Sequence, residues 1–170
     1  MSSRLDDELS RLVSAGVLRQ YQADSIRDAA DAEIGAALAI LRAASPLDTP
    51  GALATLGALR LAQGRAAEAR AAAEEGMAAY EAMAACGFFR GAFLRLVHAE
   101  CLAALGDRAA AGAAIAAARA RLLAIADRIG GPGYRRSFLE DVQENRRTLE
   151  LAAQWAEGAV PAGSAERLGG

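Results

Sequence analysis

The sequence predicts an all-α protein, and three observations carry that expectation. Apolar residues recur at three- and four-residue steps in every periodic segment, the spacing of one helix face. Alanine supplies much of a composition that is 54% hydrophobic, and alanine is the best helix former and the smallest core filler. Aromatic residues number four Phe, three Tyr and one Trp, and runs of Val, Ile and Thr are scarce, so a sheet has little material. The expected core is therefore made of helices that approach closely.

A chain of 170 residues suits one domain, which buries roughly two-thirds of the surface its unfolded form exposes. Leu5, Leu9, Leu12 and Val13 form a first short helical stripe that stops near Gly16. Asp6, Asp7 and Glu8 read as acids in the first turn of a helix, where they oppose the positive end of its dipole. A longer pattern from Val17 to about Ala44 carries Ile26, Ala30, Ile34, Ala37, Leu38 and Leu41 on one face, and the prolines of Ser45-Pro46-Leu47-Asp48-Thr49-Pro50 end it. Residues 1–50 are thus expected to be N-terminal helices packed on a helical array formed by the rest of the chain.

From Gly51 the sequence repeats. Leu53 to Ala69 aligns with Arg95 to Ala111: each copy is a helix ending at a glycine, Gly64 or Gly106, where a left-handed cap has no Cβ clash, and a second helix comes after it. The second helices carry Ala69, Ala73, Met77, Tyr80 and Met83 or Ala84 in one copy, and Ala111, Ile115, Ala118, Leu122, Ile125 and Ile129 in the other. Asp107 is placed to cap the longer of them. Residues 51–130 therefore read as two long helical hairpins. Gly130-Gly131-Pro132-Gly133 is a turn, and proline removes an N–H that a phosphate cradle would need. Asn145 is a candidate cap for a last helix whose apolar face holds Leu149, Ala152 and Trp155. Residues 131–157 are read as closing helices, and 158–170, small and polar, as a disordered tail.

These residues resemble the tetratricopeptide repeat family, whose hairpins carry a small residue on the first helix, a turn glycine and small residues at two places on the second helix. Gly57, Gly64, Ala69 and Gly76 match in the first copy, and Ala99, Gly106, Ala111 and Ala118 in the second. The turn glycines lie further apart than the family's typical spacing of about 34 residues, and neither copy has the closing proline; longer second helices account for the surplus. Residues 50 to 157, with LGDRAAA, IAAARARLLAIADRI and Arg135 to Ala152, are similar to the C-terminal helical arrays of large bacterial serine/threonine kinases and ATP-dependent regulators. The glycine-rich loop, catalytic lysine and metal-binding motifs of those enzymes' catalytic cores are missing.

The resemblance implies antiparallel hairpins stacked in a right-handed superhelix with a C-terminal capping helix pair. It also implies a concave, partner-binding surface lined by the first helices, here Ala54, Ala58 and Leu61 with Phe93, Leu96, Glu100 and Ala103. That groove is more apolar than charged and lacks the lysine and asparagine residues with which family members clamp a peptide carboxylate, so an amphipathic helix suits it better. Phe88, Phe89 and Phe93 cluster between the two hairpins, either as a buried wedge or, for Phe93, as an exposed anchor.

Chemistry-bearing groups are sparse. His98 and Cys101 share a helix face, with Cys86 as a third conceivable zinc ligand, but there is no C-x-x-C and no fourth ligand, so a structural site is not expected. A Cys86 nucleophile served by His98 would need an oxyanion site that nothing in the sequence marks. The absence of lysine removes Schiff-base chemistry. Acids and arginines are interspersed around a formal charge of −2, which argues against nucleic acid, and Arg135, Arg136, Arg146 and Arg147 have Glu140, Asp141, Glu144 and Glu150 as helical neighbours.

No charge-free apolar stretch reaches the roughly 18 residues of a membrane span, and the acidic N-terminus does not read as a secretory signal. The expectation is a non-enzymatic cytoplasmic module, without cofactor or metal and without nucleic-acid or membrane partners, that binds another protein in a bacterial signalling system. The alternative is a structural unit that completes its stack as a homodimer, since two hairpins fall short of the three repeats usually needed. Far-ultraviolet circular dichroism should show helix throughout, and a strand signal comparable with the helical one would refute the fold class.

Overall fold

The computed structural model describes residues 2–14, 20–83, 91–156 and 158, and every regular element among them is helical. The elements are α1 (Ser2–Ser14), α2 (Gln20–Ala44), a single 3₁₀ turn over Pro46–Asp48, α3 (Thr49–Ala62), α4 (Ala66–Ala82), α5 (Gly91–Ala104), α6 (Arg108–Ala126), α7 (Pro132–Glu140) and α8 (Gln143–Ala156). The second helix ends at Ala44, where the proline-bearing turn begins. Cys86, Phe88, Phe89 and Ala84, like the tail beyond Gly158, lie outside the described residues.

The helices pack in sequence order. α3 lies along α4 and α5 along α6; α5 also sits across both α3 and α4, and α8 across both α5 and α6. Small residues make this approach possible. A Cβ on Gly57 would come within 3.1 Å of Val97 Cγ1 and 3.2 Å of the Ala69 carbonyl oxygen, and one on Gly76 within 2.9 Å of Leu94 Cδ1 and 3.2 Å of Leu53 Cβ. Ala54, Ala69 and Ala73 are fully buried in the clusters around these contacts, and Ala99 and Ala111 in the cluster shared by α5, α6 and α8.

Gly64 and Gly106 adopt φ of +75° and +81°, so the turn geometry is the one the sequence requires of glycine. Asp107 caps α6 by accepting the Ala110 N–H at 3.0 Å. Arg65, at the equivalent place before α4, makes no side-chain cap and instead bonds Glu68.

The structure departs from these expectations at five places. α1 starts at Ser2, so Asp6, Asp7 and Glu8 stand beyond its first turn. Ile125 is 41% exposed, and Ala126, four residues after Leu122 rather than three, takes the inward place, since positions three and four along both fall near the same helix face and packing decides between them. Asn145 does not cap α8. It lies inside that helix at 2% exposure and donates its Nδ2–H to the Phe138 carbonyl at 2.8 Å, pinning α7 to α8. The buried face of α8 is Asn145, Thr148, Leu151, Ala152 and Trp155, with Leu149 only half-buried. Gly130 and Gly131 lie in the turn between α6 and α7, as expected, whereas Pro132 and Gly133 belong to α7 itself, with proline in the first turn where its missing N–H has no helical partner to lose.

Among the described helices, α6 is long and apolar enough by length and composition to cross a membrane. Arg119 and Arg121 interrupt it, and Ala111, Ile115, Ala118, Leu122 and Ala126 face inward.

Ile115→Asp should lower stability by several kcal/mol, since it places an unpaired carboxylate in the cluster of Leu96, Leu102, Ala111 and Leu151; Arg121→Ala, on the exposed side, should change it little. Equal melting temperatures would mean the buried face is misplaced. Gly106→Ala should cost about 1–2 kcal/mol for its left-handed φ. Gly112→Ala, with nothing within 4 Å of the new Cβ, should add about 0.5–1 kcal/mol.

Candidate functional site

Where α8 runs beside α5, the two helices leave a cleft of about 450 Å³. Phe93, Leu96 and Glu100 contribute from α5, and Gln143, Glu144, Arg146, Arg147 and Glu150 from α8. Leu96 is 4% exposed and belongs to the core cluster beneath, so it forms the floor. Phe93 is half-buried and packs against two clusters at once, that of Ala69, Val97 and Cys101 and that of Ala54, Tyr80 and Leu94.

The rim is charged and internally paired. Arg147 Nε meets Glu100 Oε1 at 3.3 Å across the cleft, and Arg146 meets Glu150 at 3.8 Å along α8. Arg146 also donates to the Glu140 carbonyl at 3.3 Å. Such partly exposed pairs fix side-chain positions more than they stabilise the fold, with each worth about 0–1 kcal/mol.

The residues expected in a groove are divided by the structure. Phe93, Leu96 and Glu100 are brought together in the cleft. Ala54 is fully buried beside Tyr80 and Leu94 and offers a partner no surface. Ala58 and Leu61 are half-buried, packed against Ala69, Ala73, Val97 and Cys101. The α8 side of the cleft was missed from sequence. Its signal was present in the polar residues at 143, 146, 147 and 150, spaced by three and four on the face opposite Thr148, Leu151 and Trp155.

Cys101 is fully buried, and burial pushes its thiol up to about 12. His98 is half-buried between Glu74 and Arg70, and desolvation lowers its pKa below the usual 6.5. Among the described residues no His, Cys, Asp and Glu group is arranged to hold a metal ion. The cleft itself is lined by carboxylates, guanidiniums, an amide and two apolar side chains, a set suited to docking a side chain.

No family model, curated protein or solved structure matches this chain.

Because burial lowers the folded-state pKa of His98, the unfolded chain takes up that proton first as pH falls through about 6.5. The His98 contribution to stability is therefore present above that pH and lost below it. His98→Gln should show a shallower fall in melting temperature between pH 7 and pH 5.5 than the parent chain. A thiol reagent should label Cys101 only on unfolding.

Proposed function

We propose that this protein is a non-catalytic protein–protein interaction module of tetratricopeptide-like build whose α5–α8 cleft receives an apolar side chain from a partner helix. The single observation behind this reading is the cleft: a half-buried aromatic, Phe93, over an apolar floor, Leu96, inside a rim of paired charges. An aromatic anchor in a partly desolvated pocket with a polar surround is the usual anatomy of an interaction hot spot.

The repeat build is supported by three glycines of left-handed φ, Gly64, Gly106 and Gly158, each standing two residues beyond a helix end, at Ala62, Ala104 and Ala156. It is also supported by the way α8 lies across α5 and α6 as α5 lies across α3 and α4. In this reading α8 is the first helix of a third layer, and its outward Arg147, Glu150 and Gln154 give the stack a polar cap. The working context is a cytoplasmic regulatory or scaffolding role in a bacterial signalling system.

A second reading, self-assembly of two copies, is favoured by one feature of the far side. Ile115, Ala116, Ala152, Ala153 and Trp155, together with Arg119, line a mainly apolar hollow of about 460 Å³ between α6 and α8. Light scattering after size exclusion separates the two readings, since only self-assembly raises the mass with concentration.

A photo-crosslinking residue at position 143, on the cleft rim, should capture a protein from native extract, and one at position 121, on the exposed side of α6, should not. Phe93→Ala should keep its helical circular dichroism yet weaken that capture by roughly 2 kcal/mol or more. Unfolding of Phe93→Ala would assign the ring to the core; unchanged capture with an intact fold would move the binding surface away from the cleft.

A further inference from the structure

At the opposite end of the stack, α2 meets the α3–α4 pair, among the described residues, through Asp31, Ile34, Leu38 and Arg42, at helical positions i, i+3, i+7 and i+11. Asp31 bridges two arginines at the α3–α4 turn, with Oδ1 3.1 Å from Arg60 and Oδ2 2.7 Å from Arg65. Leu38, with Ile34 beside it, packs on Leu53 and Ala72, and Arg42 reaches Glu75 at 2.5 Å. The contacts run in register, 31 to 65, 38 to 72 and 42 to 75, so α2 is parallel to α4. Each end of the stripe is matched to a residue of opposite charge.

This attachment is thin. Among the described residues its apolar part is Leu38 and Ile34 against Ala52, Leu53, Leu56 and Ala72, flanked by ion pairs that salt screens, while α1 packs on α2 as well, with Arg27 meeting Asp6 at 3.0 Å. Arg60 has only 12% of its side chain exposed, and its Nε is buried without an acceptor, so the intramolecular fit leaves a donor unsatisfied. On the other side of α2, Ala36, Ala37, Ala39 and Ala43 are exposed and Ile40 is 65% exposed. Toward α3 and α4, α2 is therefore held in the described residues by one buried leucine, a half-buried isoleucine and charged ends.

We propose that the α3–α4 face under α2 is a second docking surface, built for an amphipathic helix that carries an acid, a branched apolar residue, a leucine and an arginine at i, i+3, i+7 and i+11, and that α2 occupies it in cis as a built-in competitor. A partner helix with this pattern offers the Arg60–Arg65 pair its carboxylate, the Leu53–Ala72 hollow its leucine and Glu75 its arginine. It gains access only when α2 leaves. The apparent affinity of such a partner is then its intrinsic affinity multiplied by the fraction of time α2 is undocked, and any change that weakens the α2 contacts raises it. The surface is separate from the α5–α8 cleft, and the two can succeed or fail independently.

The test uses the full chain and a fluorescent peptide of residues 27–44, read by anisotropy. The peptide should bind the parent chain weakly and bind the Asp31→Arg chain at least about tenfold more tightly, because the competitor in cis has lost its bridge to Arg60 and Arg65. Arg42→Glu, which weakens the other end of α2, should act in the same direction, and it keeps the test decisive if Asp31→Arg fails to fold. A peptide carrying its own Asp31→Arg or Leu38→Asp change should bind neither chain, and Phe93→Ala should leave peptide binding as in the parent. Equal affinity for the parent chain and the α2-weakened chains, or no binding to any of them, would overturn the proposal.

Discussion

The structure depends on how closely its helices can approach, and that distance is set by side chains that are missing. Gly57 and Gly76 stand where a methyl group would meet Val97, Ala69, Leu94 and Leu53, and alanines are fully buried on either side of them. With the α3–α4 spacing fixed this way, Leu53, Leu94 and Val97 are the bulky residues that fill the remaining space. The position of α5, and through it of α8 and the cleft, depends on that spacing. A larger residue at Gly57 would have to displace Val97 or the Ala69 backbone, so its effect would extend along the stack to Phe93, which packs on the same cluster.

Helix content and helix ends were legible because local chemistry decides them. Gly64 and Gly106 mark their turns through φ, Asp107 marks its cap through an oxygen within reach of an N–H, and Pro46 and Pro50 mark the end of α2. Which side of a helix faces inward was less legible where alanine dominates. Ala126 and Ile125 differ in hydrophobicity in the wrong direction for their places, and only the geometry of α6 against its neighbours puts the alanine inside. The same holds for Ala54, which reads as a small groove residue and is in fact sealed under Tyr80 and Leu94.

Asn145 shows a different limit. A residue that favours helix caps lies in the helix interior because a carbonyl from α7, Phe138, is available to its amide. No local pattern announces a partner seven positions away across a turn. The α5–α8 cleft was half legible for a related reason: Phe93, Leu96 and Glu100 share one helix face, whereas Arg147 meets Glu100 only after α8 has packed back on α5. The Asp31 bridge to Arg60 and Arg65 is likewise a product of layering, since the acid and the arginines come from different helices.

A core built this way also has a thermal signature. Buried alanines freeze no rotamers on folding and hide little apolar area apiece, so Ala54, Ala69, Ala73, Ala99 and Ala111 contribute little to the heat-capacity change that curves a protein's stability against temperature. The stack should therefore have a flatter stability curve than a domain of the same length filled with leucine and phenylalanine, with a smaller loss on cooling and a less pronounced optimum. The spacing that brings the helices together thereby makes the fold less sensitive to the temperature at which it works.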